Sequence, residues 1–388
     1  MIEGVQSGSK TPRLKYAMVG GGQGAFIGDV HRKAIALDGG AKLVAGCFSQ
    51  DFRNTRATGE MLGLSKERLY RTYQEMIEAE SKHEEGADFI IIATPNNTHF
   101  PITKMALERD FHIVCEKPLT TDSREAEKLG RLTVEKDLLF CVTYAYTGYP
   151  VVKHMRAMVV HGDLGDIRFV NAEYPQEWLA SPLEKTGQKQ SAWRTDPKRA
   201  GISNCVGDIG SHIENMVSYI TGLKIRSLCA RLDTIIEERT LDDNASIMLE
   251  FDNGAKGLYW SSQIAIGHDN GFRVRIFGTK ASLDWCQEKP NYLKISYLNK
   301  PTEIVSRGRD EFYPHAQKYS RIPSGHPEGY FEAFANVYST FIPALAKKIS
   351  GETLSEDDLD FPGVEAGIQG VKYIERCVES SKKGSIWI

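Results

Sequence analysis

Leu14-Lys15-Tyr16-Ala17-Met18-Val19, running into Gly20-Gly21-Gly22-Gln23-Gly24, is the stretch on which the fold turns. A short apolar run that breaks into clustered glycines, with a helical pattern around Val30–Ala36 behind it, reads as strand, turn and helix. Glycines at such a turn let the backbone approach the pyrophosphate of a dinucleotide. The helix N-terminus behind them supplies N–H groups and the positive end of its dipole. The spacing departs from GxGxxG: Gly20-x-Gly22 fits, but the third position falls on Ala25 and Gly28 comes three residues later. The loop is therefore longer than usual or built differently, and a plain glycine turn without a ligand stays open on this motif alone. Gly20, Gly22, Gln23, Gly24, Phe26 and Ile27 are the residues expected against the cofactor.

Working outward, Leu43–Phe48 predicts a second strand and Phe52–Leu62 a helix. Asp88–Ala93 is a third strand, Ile102–Glu108 a helix, His112–Cys115 a fourth strand, Ser123–Lys136 a helix and Leu139–Val142 a fifth strand. Strands alternating with helices of this length imply βαβ units, and runs apolar on both faces imply a sheet covered on both sides. The fold class is therefore α/β, opening with a doubly wound parallel sheet (a Rossmann domain) over residues 13–147. Past residue 148 the pattern changes to a helix at Val151–Val160 and then mostly strands: Ile167–Tyr174, Ile225–Leu232, Ala245–Phe251, Lys256–Ser262, Phe272–Gly278 and Ala281–Asp284. Hairpin signals at Asp252-Asn253-Gly254 and Gly278-Thr279-Lys280 make this sheet mainly antiparallel, with a helix at Gly210–Ile220 inserted. Val364–Glu379 reads as a closing helix and Ser385–Ile388 as a last strand. Residues 148–388 form a second, α+β domain, and residues 1–12 a disordered tail.

A formal net charge of -3 argues against nucleic acid or an anionic membrane surface as partner, since both usually demand a basic excess. Seven scattered cysteines with no CxxC pair suit reduced thiols, hence a cytoplasmic location, better than a disulfide framework or zinc site.

In an open parallel sheet, ligands meet the carboxyl ends of the strands. After the second strand stand Ser49, Gln50, Asp51 and Arg53. A serine with a nearby arginine tolerates the 2′-phosphate of NADP, whereas Asp51 within reach of the ribose would favour NAD, so either cofactor is compatible; an ordinary loop with a solvated Asp51 and Arg53 is the alternative. After the third strand comes Thr94-Pro95-Asn96-Asn97-Thr98-His99; Thr94, Pro95 and Asn96 are expected against cofactor, while His99 reads either as a contact or as a structural histidine. After the fourth comes Glu116-Lys117-Pro118. A lysine there projects to where nicotinamide and substrate meet, and its ammonium suits a developing oxygen charge; a surface Lys-Pro turn is the bland alternative. In Gly207-Asp208-Ile209-Gly210-Ser211-His212, Asp208 and His212 share a helix face. Histidine is the side chain best suited to take a hydroxyl proton near neutral pH; a capping Asp208 beside a core His212 is the bland alternative. With no second histidine at ligand spacing, no metal is expected.

In order, these pieces resemble the Gfo/Idh/MocA family, named for glucose–fructose oxidoreductase and inositol dehydrogenase. The features that match are Gly28–His31 (GxxH), the Ala-Thr-Pro-Asn turn, Glu116-Lys117-Pro118, Gly207–His212 and the closing helix with its final strand. The resemblance implies an NAD- or NADP-dependent oxidoreductase with a large open mixed sheet, through which homodimers or homotetramers commonly assemble. It also implies a catalytic set that falls here on Lys117, Asp208 and His212, and a polyol or sugar substrate. Reversible oxidation of a secondary hydroxyl is the expectation. Transient oxidation and cleavage of a glycoside with a retained cofactor is one rival, and a non-catalytic dinucleotide sensor the other.

Two further segments are rich in aromatic and amide side chains suited to a sugar or cyclitol. Tyr174-Pro175-Gln176-Glu177-Trp178 through Trp193-Arg194 is expected to touch substrate by Tyr174, Trp178, Trp193 and Arg194, a packed loop with buried tryptophans being the alternative. Gly325–Tyr330 is the other.

Overall fold

The computed structural model describes residues 13–388; the tail expected over residues 1–12 lies outside the described residues. The first half runs β1 (Leu14–Gly20), α1 (Phe26–Asp38), β2 (Ala41–Cys47), α2 (Phe52–Met61), α3 (Tyr73–Glu80), β3 (Phe89–Ala93), α4 (His99–Glu108), β4 (His112–Cys115), α5 (Ser123–Glu135) and β5 (Phe140–Val142). The five strands pair in parallel in the order β2-β1-β3-β4-β5. Central β3 shows why its run lacks alternation. Phe89 and Ile91 enter one core, with Val30 of α1, while Ile90 and Ile92 enter the other, with Ile102 and Ala106 of α4. The carboxyl ends of β1, β3 and β4 come together at one edge.

The second half runs α6 (Pro150–Val160), β6 (Ile167–Pro175), α7 (Lys189–Arg194), α8 (Pro197–Ala200), α9 (Ser211–Thr221), β7 (Ile225–Asp233), β8 (Asn244–Phe251), β9 (Lys256–Ser262), β10 (Arg273–Gly278), β11 (Ala281–Cys286), β12 (Tyr292–Tyr297), β13 (Glu303–Ser306), α10 (Pro314–Gln317), α11 (Tyr330–Ile349) and α12 (Val364–Lys382). The eight strands form one mixed sheet, β13-β12-β11-β10-β6-β9-β8-β7, in which the β6/β9 pair is parallel and the others antiparallel. Ala245, Ile247, Leu249 and Phe251 of β8 join the core with residues of α6, α9 and α12, while Ser246 and Met248 between them are exposed.

Elements α3, α7, α8, α10, β12 and β13 carry no sequence expectation, and two larger features depart from the sequence reading. Ser385–Ile388 is not a strand: only Ile388 exchanges backbone hydrogen bonds with β7, at Leu228 (2.9 and 3.0 Å). Gly384 and Ser385 take positive φ values of 89° and 59° as the chain leaves α12, which interrupts extended geometry. The long helix α11 carries no sequence expectation. Its buried residues go nearly all the way round it, and Phe334, Tyr338 and Phe341 share a core with Leu14, Val30 and Phe89 of the first half.

Candidate active site

A crevice of about 1170 Å³ runs from the glycine loop, past the carboxyl ends of the parallel strands, to α7, α9 and the edge of the second sheet. At the loop, Gly20 and Gly21 take φ values of 86° and 75°, and a Cβ on Gly20 would lie 2.2 Å from the carbonyl oxygen of Ala93. Gly22 donates its N–H to Phe48 at 3.1 Å, and Asn54 closes on both the N–H and the carbonyl of Gln23 at 3.0 Å. Gly28 takes the part of the displaced third glycine: a Cβ on it would lie 2.2 Å from the Cα of Gly21, so the longer loop still packs tightly against its helix. Among the described residues no side chain caps α1, whose first residues Phe26 and Ile27 line the crevice. Bare glycine backbone below an uncapped helix N-terminus fits the pyrophosphate of a dinucleotide.

Gly20, Gly22, Gln23, Phe26, Ile27, Ser49, Thr94, Pro95, Asn96, Glu116 and Lys117 all line this crevice. Gly24, Arg53 and His99 do not. Gly24 sits in the turn at φ 80°, with open space where a Cβ would stand. Arg53 is exposed and paired with Asp51, which caps α2, so neither reaches the crevice. His99 is buried beneath the wall, its ring nitrogens 2.8 Å from the Thr94 carbonyl and 2.9 Å from that of Pro118. It ties the turn after β3 to the turn after β4. The sequence reading missed Asn54, Arg71 and Tyr73 beside Ser49, because no local pattern brings α2 and α3 to the end of β2.

Glu116 is held from behind. It accepts from Thr143 at 2.6 Å and meets His31 Nε2 at 3.1 Å, while His31 Nδ1 lies 2.6 Å from the hydroxyl of Tyr338 on α11. Burial pushes the Glu116 carboxyl up, but the bonds from His31 and Thr143 and the charge of Lys117 hold it below its ordinary value. The GxxH histidine is thus the post on which β4, β5, α1 and α11 are pinned.

Lys117 extends into the crevice and donates to both the side chain (Oδ1) and the backbone carbonyl of Asp208, each at 2.8 Å. Of its three N–H bonds, one remains for a ligand. Asp208 lies in a wide π turn, Val206–Gly210, that leads into α9; the turn is anchored by Asp242, which collects the N–H groups of Asn204 and Val206 at 2.9 and 3.0 Å. The second oxygen of Asp208 accepts from Arg194 Nε and Gln263 Nε2, both at 3.0 Å. Burial would raise the Asp208 pKa, but the charges of Arg194 and Lys117 hold it well below the usual carboxylate range. With both oxygens engaged, Asp208 makes no hydrogen bond to His212 and acts on it only through space.

His212, one turn on, is ringed by Tyr144, Tyr146 and Tyr174, with centroids at 5.6, 4.8 and 6.2 Å. Burial, then the Lys117 ammonium, lowers its pKa well below 6.5, against a smaller upward pull from Asp208. The imidazole is therefore neutral near pH 7 and free to accept a proton.

Tyr174, Trp193 and Arg194 line the crevice, but Trp178 does not. Trp178 and Trp193 flank the Arg194 guanidinium at 5.7 and 4.3 Å, so the substrate contact expected of Trp178 becomes a support for Arg194 instead. From Gly325–Tyr330, Tyr330 reaches the crevice, while Glu328 is buried against Arg307 at 2.8 Å. Gln176, whose segment the reading marked, lines the wall; Tyr146 and Asn270 do so with no motif to announce them.

Residues 14–144 match the model of the oxidoreductase family with an NAD-binding Rossmann fold, and residues 152–284 match the GFO/IDH/MocA C-terminal domain. The chain is 37% identical to the uncharacterized oxidoreductase YfiI of Bacillus subtilis (strain 168), over 97% of this chain and 96% of that one. Among solved structures it is similar to an inositol dehydrogenase homolog from Azotobacter vinelandii complexed with NADH and myo-inositol (TM-score 0.90, 36% identity, 97% of each chain). It is also similar to levoglucosan dehydrogenase in complex with NADH and levoglucosan (TM-score 0.82, 26% identity, 97% and 98% of the chains).

Proposed function

The chain belongs to the GFO/IDH/MocA family of oxidoreductases with an NAD-binding Rossmann fold, and from that premise we propose that it reversibly oxidises a secondary hydroxyl of a sugar, sugar derivative or inositol. The observation that carries this reading is the juxtaposition, in one crevice, of the glycine loop, the Lys117–Asp208 pair and the neutral imidazole of His212. A bound nicotinamide supplies the hydride acceptor. His212 takes the hydroxyl proton. Lys117 donates its remaining N–H to the reacting oxygen, stabilising the charge that develops there. Asp208 positions Lys117 and balances its charge, and Arg194 and Gln263 keep Asp208 ionised and in place.

Similarity to an inositol dehydrogenase homolog and to levoglucosan dehydrogenase supports a polyhydroxylated ring as substrate. Phe169, Met248, Leu258 and Phe277 are exposed on the strands of the second sheet, and this apolar face supports assembly as a homodimer or homotetramer. All seven cysteines are unpaired, in keeping with a cytoplasmic protein, and among the described residues no helix is long and apolar enough to cross a membrane.

The test is a panel of myo-inositol, levoglucosan, D-glucose, glucose 6-phosphate and D-xylose with NAD+ and NADP+, followed at the NAD(P)H absorbance. Steady production of reduced cofactor from at least one member is expected. Products released without net reduced cofactor would instead favour cleavage with a retained cofactor, and no turnover at all would overturn the reading.

A further inference from the structure

We infer that Tyr146 and Asn270 together recognise one free hydroxyl of the substrate beside the reacting carbon, and that Trp178 imposes this preference from outside the crevice. The inference rests on the oxidation reading above. An indole N–H can only donate a hydrogen bond. Trp178 Nε1 lies 3.1 Å from the side-chain amide of Gln176, so the atom facing it is the oxygen and the amide nitrogen must point onward. That nitrogen lies 2.8 Å from Asn270, which must therefore present its own oxygen. The hydroxyl of Tyr174 lies 2.6 Å from the same oxygen and must donate to it. With its hydrogen engaged, Tyr174 can only accept from the Tyr146 hydroxyl at 2.5 Å. One donor-only indole thus sets the direction of every bond in the row.

Two groups are left at the crevice. The Asn270 side chain also bonds the Tyr146 hydroxyl; beyond that bond Asn270 Nδ2 keeps one hydrogen, and the Tyr146 oxygen, its own hydrogen directed at Tyr174, keeps one lone pair. Both residues line the crevice, and the Tyr146 ring is 4.8 Å from that of His212, next to where the proton would be taken. A hydroxyl accepts from one of these groups while donating to the other. A carbonyl, ether or carboxylate oxygen cannot donate, an ammonium cannot accept, and a hydrogen leaves both protein groups unpaired. Sites built to pair a hydroxyl reject the analogue that lacks it because polar atoms of the protein are left unsatisfied.

The experiment takes the panel member oxidised fastest and compares it with its monodeoxy and monofluoro forms, substituted next to the reacting carbon. Wild type is expected to lose about 10–100-fold in kcat/KM on either analogue. In Asn270→Asp, which has no donor for the ligand, and in Tyr146→Phe, the preference for the hydroxyl should shrink to within about threefold. Trp178→Phe should shrink it as well, because Gln176 is then free to turn and the row loses its direction. A purely structural role for Trp178 would lower kcat/KM on parent and analogue alike and leave their ratio unmoved. NADH affinity, read by fluorescence titration, should hold in all three variants and certifies that they fold. Ratios as large as wild type in Asn270→Asp and Trp178→Phe would overturn this inference alone. Absence of turnover by wild type on the whole panel would overturn the oxidation reading and this inference with it.

Discussion

Replacing Asp208 by Asn keeps the size of the side chain and removes its charge, leaving the Lys117 ammonium and the Arg194 guanidinium on either side of a neutral amide. The native carboxylate accepts from Lys117 at 2.8 Å on one oxygen and from Arg194 and Gln263 at 3.0 Å on the other. An Asn side chain has a single oxygen, so its NH2 must confront either Lys117 or the Arg194–Gln263 pair, donor against donor. The side chains of Lys117 and Asp208 are only 13% and 15% exposed, so water compensates little. Removing one partner of a buried pair costs about 3–5 kcal/mol, and the low end suits a site that opens on a crevice. If that cost falls on the orientation of Lys117 in the transition state, kcat/KM drops by about 150-fold. The assay is single-turnover formation of reduced cofactor on the best panel substrate, alongside an NADH fluorescence titration. The hydride-transfer step should slow while NADH affinity stays within about threefold, because Asp208 stands on the substrate side of the crevice. A variant that keeps more than about half of the parent's kcat/KM would refute Asp208 as the anchor of Lys117. Acid should leave this pair intact over the mild range. The folded pKa of Asp208 is depressed, so its contribution to stability is complete above the unfolded carboxylate value of about 3.9 and is lost only as pH falls through the lower folded value.

Removal of His212 as His212→Ala should slow the chemical step by about 10²–10⁴-fold with unchanged NADH affinity. Because its pKa is lowered well below 6.5, the acid limb of the oxidation rate should lie below that pH and vanish in the variant; a His212-dependent limb at or above 6.5 would contradict the buried, neutral imidazole. Gly28→Ala places a methyl group 2.2 Å from the Cα of Gly21. The loop must then shift at about 1–3 kcal/mol, seen as a lower melting temperature together with weaker NADH binding, and unchanged values would show that the loop tolerates the methyl. Ser49→Asp should raise the ratio of kcat/KM for NAD over NADP, since a carboxylate at the end of β2 repels a 2′-phosphate; a constant ratio would turn attention to Arg71, which lines the same end of the crevice. Millimolar NADH should raise the melting temperature of the wild type, and no shift in a cofactor-free preparation would contradict the glycine-loop site.

Much of this protein is written locally. The strands, the glycine turn and Glu116-Lys117-Pro118 are legible because periodicity of two or 3.6, turn chemistry and the carboxyl ends of parallel strands are properties of neighbouring residues. Asp208 and His212 were legible for the same reason: four residues apart, they share a face wherever that segment lies. The extra length of the glycine loop was visible as well, but not its remedy, since only the folded loop brings Gly28 against Gly21. The sequence could not show what Asp208 bonds to. Lys117, Arg194 and Gln263 reach it from β4, α7 and the end of β9, and side-chain pairing between distant segments has no period to read. The same limit hid the places of His99 and Trp178, for an imidazole or indole beside a site faces ligand or protein according to which neighbour packs behind it, whereas Arg53 stays in solvent beside Asp51. By itself, the chain determined the alternation of strands and helices in the parallel sheet, the crevice edge and the chemical types gathered there. The tertiary structure alone decided which donors meet which acceptors, because a hydrogen bond forms only where separate elements bring its two atoms within about 3 Å.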